Sequence, residues 1–526
     1  MQRSQLDNIS EQGPADRKAD TELRRRTLGT ALLIGLVLCV GIALRVRSFQ
    51  KQAGLCRDEA ALASNIVERD EWELLRPLGY HQAAPIGHLL LLKGATRWLG
   101  NNEMALRLPA QVASILTLFL YLVLARQCLS PWGQVLGLAF MGLAGPLVWY
   151  GVSAKQYSGD VLVTVALLIA GFRALQRQAG LGRFVLLGAV GVVAIGLSQP
   201  AVFVLGGIGI TLIVGAVVGG RSREACGWIA VATLWLATFL PLYALIYRHY
   251  AGSENLTGFW TFALAPFPPR SLGELKWYYD HFFELFSFPL GLKFEGLAGA
   301  CYLYGVFLLA RKRDRRMAGM LIAPLIVTLT ASALKKYPFD DRLMLFACPM
   351  LATLTAAGVA GIGDDDRTGG RVLRRIVATL LLIYPGYVSW NTMTSGLYLV
   401  HDIKPALAYV AEHWRDGDVV YLNFGAHTLG VYYANTLNYH NLRGKPFVYG
   451  VSAGDGASME QQLQTYGKDL EQVQGKERVW FVFAMIRESQ VPVFTYLLDR
   501  RGVRRDAYQG PGSTALLYDL RSAPSY

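Results

Sequence analysis

The sequence predicts a polytopic α-helical membrane protein that ends in a small α/β domain outside the bilayer. Three observations carry this. The 526-residue chain is 53% hydrophobic and only 17% charged, with a mean hydropathy of +0.30, and its apolar residues fall in runs of membrane-spanning length. Basic clusters punctuate those runs on alternate sides. The last 130 residues or so lose the long runs and alternate short β-type segments with amphipathic ones.

About eleven runs are long enough to cross the hydrocarbon core: near 28–48, 105–127, 132–151, 160–177, 183–199, 201–219, 226–248, 294–310, 317–334, 342–362 and 371–391. The first, Leu28 to Leu44, follows Arg24-Arg25-Arg26. It lacks a small-x-small cleavage site, and Arg45, Arg47 and Lys51 follow it, so it reads as an uncleaved anchor behind a disordered cytoplasmic tail, 1–27. Gln199-Pro200 leaves room only for a tight hairpin. The segment Ala84–Leu99 is apolar but short and holds His88, Lys93 and Arg97; it is expected to lie in the interface rather than span. No internal repeat is evident.

With the N-terminus in the cytoplasm, the clusters Arg24–Arg26, Arg173/Arg177/Arg183, Arg221/Arg223, Arg311–Arg316 and Arg371–Arg375 all fall inside. The loops 49–104 and 250–292, the segment Lys335–Arg342 and the C-terminal domain 393–526 then lie outside the cytoplasm, and the protein belongs in the inner or plasma membrane. The net charge of +13 is this topology signal; no aromatic-studded basic groove accompanies it, which excludes nucleic acid as a partner. Six cysteines without a CxxC or ligand-like spacing indicate neither a zinc site nor a disulfide framework. In the last domain, Val419–Phe424, Arg478–Phe483 and Ala515–Asp519 read as buried strands. Helices are expected at 404–414, 426–436, 457–473 and 489–500, around a largely parallel sheet. No GxGxxG follows its first strand, so it is not read as nucleotide-binding.

Candidate chemistry gathers in four places on one predicted membrane face. Asp58 and Glu59 lie where the chain leaves the first span, a costly position for two acids; Asp58 is also a good N-cap for a helix over 60–68. Gly79-Tyr80-His81-Gln82 is a polar turn ahead of Pro85, where His81 and Gln82 could hold a ligand, and His81, as a minority reading, a metal. Lys155, Tyr157 and Asp160 sit between two spans, with snorkelling and helix capping as their simpler explanation. Lys335-Lys336 and Arg342 break the positive-inside trend, which points to an anion. The aromatic loop 250–292 is an interfacial lid or a headgroup belt.

Together these positions resemble the GT-C glycosyltransferases of the protein O-mannosyltransferase and lipid A aminoarabinose transferase type. Asp58-Glu59 looks like the acidic motif that opens that family's first extracytoplasmic loop. Ala84-Pro85-Ile86 looks like a degenerate Pro-Pro-Leu helix start, preceded by Gln82-Ala83 where relatives carry Glu-Lys. Gly100-Asn101-Asn102-Glu103-Met104-Ala105-Leu106-Arg107-Leu108-Pro109 resembles the signature lfG-x-sE-x-alRlps, and Lys155–Ser158 and Tyr337–Arg342 resemble family loops. The resemblance covers residues 28–390. It implies transfer of a sugar from a polyprenyl-phosphate donor to a hydroxyl acceptor (protein, lipid or glycan) outside the cytoplasm, usually with inversion. Asp58 is implied as base, with Glu59 beside it. Lys155 and Arg342 are the leading groups for the leaving phosphate, with Lys335 or Lys336 secondary, and Tyr157, Asp160, His81 and Gln82 complete the expected substrate-binding set. No cofactor is fixed by this reading; a divalent metal stays open. Two other classes compete: a transporter or flippase for a lipid-linked substrate, which would place its charges at mid-membrane, and a non-catalytic subunit of a polysaccharide assembly system.

Overall fold

A computed structural model describes residues 14–51, 54–176, 180–248, 260–311, 315–363, 368–395, 402–436, 442, 444–445, 447–454, 456–486 and 490–521. Residues 250–259 of the aromatic loop lie outside that set. Among the described residues, eight helices are long and apolar enough to cross a bilayer: Thr27–Gln50, Glu103–Cys128, Tyr157–Leu175, Ala201–Val218, Ser222–Ile246, Arg316–Ala333, Asp341–Gly361 and Thr368–Ser395. Apolar helices at Leu181–Leu197 and Glu295–Arg311, each 17 residues long, fill two further expected positions. The eleventh, expected as one run over 132–151, is two helices, Pro131–Leu143 and Gly145–Tyr150. Pro146 removes a backbone donor at the break. The first helix begins at Pro14, inside the stretch expected to be a disordered tail.

The carbonyls freed by that break are satisfied by a buried arginine. Arg45 on the first span donates to Met141 O (3.1 Å) and Gly142 O (2.9 Å), and its Nε donates to Ser114 Oγ (2.8 Å) on the helix Glu103–Cys128. A residue read from sequence as a flanking charge is thus the knot joining three helices. Elsewhere small residues set the spacing. A side chain at Gly358 would meet Cys301 O at 1.8 Å, and one at Gly305 would meet Leu354 O at 1.9 Å, so Glu295–Arg311 and Cys348–Gly361 touch backbone to backbone.

The segment after Pro85 is a 14-residue helix, Ile86–Leu99, about 21 Å long and too short to span. Its charges reach sideways into the first loop. Lys93 Nζ donates to Ile66 O (2.7 Å), closing the end of the helix Arg57–Glu68, and Arg97 pairs with Glu71 (2.7 Å). The first-loop helix begins at Arg57, so Asp58 lies in its first turn and is not its cap.

The C-terminal domain holds a five-stranded sheet of order β2-β1-β3-β5-β4, with β1 Val419–Leu422, β2 Phe447–Tyr449, β3 Val479–Ala484, β4 Val503–Gly510 and β5 Ser513–Asp519. β1 pairs parallel with β2 and β3, whereas β5 pairs antiparallel with β3 and β4, so the sheet is mixed rather than largely parallel. Helix Lys404–Glu412 and the first-loop helix share one hydrophobic core with this sheet.

Replacing Gly358 by Leu should destabilise the protein by at least about 3 kcal/mol, because two backbones must separate. A thermal melt in detergent that leaves Gly358→Leu within a degree of wild type would contradict this packing.

Candidate functional site

Glu59 is the fixed point of the site. It is buried, and both of its carboxylate oxygens are filled. Arg107 Nη2 donates to Oε2 (2.7 Å) and Arg107 Nε to Oε1 (3.1 Å); the backbone amides of Cys56 (2.9 Å) and Ala154 (2.7 Å) complete the set. Burial alone would raise this carboxyl group; the Arg107 charge and these hydrogen bonds outweigh it and hold Glu59 below the usual range. Glu59, expected beside Asp58 as a catalytic acid, spends both oxygens on these contacts and, with Arg107, also borders the cavity described next. Arg107 was visible only as a letter of the Gly100–Pro109 signature; a charged residue inside a long apolar helix is the signal that could have marked it as needing a buried partner.

Asp58 borders a cavity of about 110 Å³ together with Glu59, Arg107, Tyr150, Lys155, Tyr157 and Arg342. Arg342 Nη2 lies 3.0 Å from Asp58 Oδ2, with both side chains about one-third exposed. The Arg342 guanidinium also sits 5.8 Å from the Trp260 ring centroid, and Tyr150 lines the same cavity. The short 3-10 helix Asp341–Ala347 carries Arg342, and Asp340 caps that helix by accepting from the Asp341 amide (2.6 Å). Lys155 is buried on the opposite wall and donates to Gln82 Oε1 (2.5 Å). Burial lowers its ammonium below the usual lysine range, against the opposing pull of Asp58.

The other expected residues separate. Gln82 reaches the site through Lys155. His81 is exposed and does not line the cavity. Lys335 donates to Ala265 O (2.7 Å), tying the end of helix Arg316–Ala333 to the 260s loop. Asp160 is buried but lies off the cavity, and its Oδ1 meets no hydrogen-bond partner among the described residues. A residue not singled out by sequence is His88. It is buried against Ala154 and Lys155, and burial pushes its ring down to about 4. It is therefore neutral at pH 7.

Among the described residues, one trio brings metal-type ligand atoms within 4.8 Å of one another: His281, Glu284 and Asp340. Helix Leu272–Ser287 presents the first two, one turn apart. His281 Nδ1 is 2.9 Å from Trp277 O, which as donor leaves the Nε2 lone pair free, and that buried atom has no protein partner. The trio fits a divalent cation by donor type. All six cysteines are free.

The fold that carries this site is similar to those of several solved transferases. One is ArnT from Cupriavidus metallidurans bound to undecaprenyl phosphate, at 13% identity and a TM-score of 0.51, over 95% of this chain and 100% of that one. The chain is also similar to the archaeal oligosaccharyltransferase AglB from Archaeoglobus fulgidus in complex with an inhibitory peptide and a dolichol-phosphate, at 11% identity and a TM-score of 0.53, over 95% and 75% of the two chains. Another structure of the Archaeoglobus enzyme, a complex with Zn and sulfate, is 12% identical with a TM-score of 0.51, over 93% of this chain and 73% of that one. At 95% coverage the likeness reaches into the C-terminal domain, beyond the 28–390 that the sequence motifs covered. No family model and no curated protein sequence matches this chain.

Removing Arg107 strands a buried carboxylate, so Arg107→Met should cost about 3–5 kcal/mol, and Glu59→Gln in the same chain should restore part of it. The pH dependence has a defined sign. A carboxyl held below its unfolded value stabilises fully above about pH 4.3 and loses that contribution as pH falls through its folded value. Wild-type stability should therefore drop below that pH, whereas the deficit of Arg107→Met should be largest at neutral pH and shrink on acidification. Melting curves at pH 4 and pH 7 distinguish the two.

Proposed function

We propose that the protein transfers a sugar from a polyprenyl-phosphate carrier to a hydroxyl acceptor, with Asp58 as the base. The observation that carries this reading is the single cavity in which the Asp58 carboxylate meets Arg342 and Lys155, brought there from three distant loops. An acceptor hydroxyl entering beside Asp58 gives up its proton to that carboxylate as its oxygen bonds to the anomeric carbon. The bond from that carbon to the phosphate oxygen breaks on the opposite face, so configuration inverts. The leaving phosphate takes the electron pair and is held by Arg342 and Lys155, with the Tyr157 hydroxyl beside them. A phosphate is already a competent leaving group, so fixed cations suffice and no strong general acid is needed. In the free protein Arg342 rests on Asp58. An incoming phosphate competes for the guanidinium and frees the base at the moment both substrates are present.

An apolar groove of about 160 Å³ lies between helix Leu272–Ser287 and the helices Glu295–Arg311 and Arg316–Ala333, and Phe339, three residues before Arg342, is part of its wall. Trp277, Phe282, Leu325, Leu329 and Phe339 line it. It suits the isoprenoid chain of the carrier, which would enter from the bilayer while its phosphate reaches Arg342. A divalent cation held by His281, Glu284 and Asp340 would add positive charge next to the turn that bears Arg342.

The site faces away from the cytoplasm in this reading. Arg183 and Arg221 converge on Glu224 (3.2 and 2.7 Å), so two of the basic clusters share one end of the bundle. The N-terminus belongs with them in the cytoplasm, and Asp58 and the C-terminal domain belong outside the inner or plasma membrane.

Asp58→Asn should lower turnover of a polyprenyl-phosphate sugar by about 10²–10⁴ with an unchanged melting temperature. Full transfer by that variant would remove Asp58 from the mechanism. Arg342→Gln should raise the KM for the donor more than it lowers kcat. Zinc added to the purified protein should raise its melting temperature by several degrees once well above its dissociation constant, and His281→Ala should abolish that rise.

A further inference from the structure

Beside Asp58, and outside the cavity's own lining, exposed aromatic rings from two domains form a rim. Arg57, the residue before Asp58, is gripped by the C-terminal domain on both sides of its backbone. Its amide lies 3.3 Å from Met485 Sδ, and its carbonyl accepts from Thr428 Oγ1 (3.2 Å). Its guanidinium lies over the Phe424 ring, 4.1 Å from the centroid. Phe424 and Thr428 follow β1, and Met485 follows β3. The first loop therefore enters at the carboxyl ends of two adjacent parallel strands whose onward chains run to opposite sides of the sheet, which is where open α/β sheets form their crevice.

The rim continues from there. His427 lies tilted against Tyr449 with ring centroids 3.9 Å apart. Tyr449 and Glu68 act on the Tyr80 phenol, which burial and these neighbours raise above its usual range. Gln82 donates to Tyr80 O (3.1 Å) and accepts from Lys155, back at the cavity. Phe424, Tyr449 and Tyr80 each remain about two-fifths exposed. Tyr80 and His81 both hold left-handed backbone, φ 58° and 53°, a costly conformation for residues with side chains. Asn65 enforces the turn by pairing both ways with Gly79, accepting at 2.7 Å and donating at 3.2 Å.

We infer that this rim is the acceptor subsite and that its occupant is a carbohydrate. Phe424, Tyr449 and Tyr80 supply flat apolar faces, which match the C–H face of a sugar ring. Arg57, His427 and Gln82 supply donors and acceptors at their edges for hydroxyl groups. The subsite rests on the transfer reading above, since it delivers a sugar hydroxyl to Asp58, and it makes the C-terminal domain a working half of the site.

The test is binding of a panel of immobilised neutral oligosaccharides by the full-length protein in detergent, with Ser/Thr-containing peptides and anionic lipid vesicles as the other arms. Wild type should bind at least one oligosaccharide class and leave the peptides and vesicles unbound. Phe424→Ala, Tyr449→Ala and Tyr80→Ala should each weaken that binding about tenfold or more. Tyr449→Phe, which keeps the ring, should stay within about threefold of wild type. Phe424 also packs beneath Arg57, so if its variant misfolds, Tyr449→Ala and Tyr80→Ala decide. Binding of peptide or vesicles in place of oligosaccharide overturns the inference, as does oligosaccharide binding that all the alanine variants retain. Hydrolysis of the donor by water, followed without acceptor, separates this from the larger reading. Asp58-dependent hydrolysis without oligosaccharide binding sinks the acceptor subsite alone. Oligosaccharide binding lost on Tyr449→Ala, in a protein that consumes no donor, upholds the subsite and sinks the transfer reading.

Discussion

The site depends on the buried pair between Glu59 and Arg107. A carboxylate and a guanidinium out of water each carry a desolvation penalty of several kcal/mol, and only complete satisfaction offsets it. Here Arg107 meets Glu59 with two parallel hydrogen bonds and spends another on Gly54 O (3.1 Å), while the amides of Cys56 and Ala154 take the remaining directions on Glu59. The pair thus clamps the start of the first loop, the helix Glu103–Cys128 and the turn before Lys155 at one point. Asp58 and Lys155 are each one residue from an atom in that clamp. Their mutual placement follows from it, although neither takes part.

One helix turn distributes the rest of the architecture. Glu103 and Arg107 are four residues apart and so share a face of their helix. Arg107 reaches the first loop. Glu103 pairs with Lys404 (2.7 Å) and accepts from Tyr433 (3.0 Å), and the same Tyr433 hydroxyl accepts from the Leu55 amide (2.7 Å). A single helical face therefore registers the C-terminal domain, the first loop and the membrane bundle against one another. Further along this helix Ser114 meets Arg45, which repairs the carbonyls at the break after Leu143. Polar groups in apolar helices are expensive, and Arg45, Glu103, Arg107 and Ser114 each join elements that hydrophobic packing alone would leave free to slide.

The membrane elements were legible because length and hydropathy are local properties. The breaks were less so: the separation at Ala144-Gly145 is set by Pro146 together with Arg45, a partner a hundred residues away. In the C-terminal domain the buried strands β1, β3 and β5 announce themselves as apolar runs, but β4 reads Val-Arg-Arg-Asp-Ala-Tyr-Gln-Gly. Its charges are those of an edge strand, which protects an open side with Arg and Asp and so masks its own periodicity. The mixed sheet follows from that missed strand. At the site, residue types showed which groups could do chemistry but not which way they face. Asp58 and Glu59 are neighbours on one helical turn, about 100° apart, and that rotation gives Glu59 to the buried Arg107 and leaves Asp58 partly exposed beside Arg342. Lys335 and Arg342 are cations in the same segment. The first was spent on backbone carbonyls and the second on the site, a division decided by the left-handed φ of Lys335 (60°) and by the 3-10 turn that begins at Asp341.

Adjacent acids end up with opposite duties because their ion pairs differ in exposure. The Glu59–Arg107 pair is nearly inaccessible, so exchanging either partner would leave a bare charge in a low-dielectric interior. The Asp58–Arg342 pair has about a third of each side chain open to solvent, and such pairs are worth on the order of 1 kcal/mol or less. Water or an incoming anion can compete for Arg342 at little cost, while nothing can compete for Arg107. A rigid pair and an exchangeable one, set side by side on the same helical turn, leave the Asp58 carboxylate held in place by its neighbour yet free to change partners. In the proposed transfer that combination lets a phosphate displace an existing contact before the hydroxyl meets an unencumbered carboxylate.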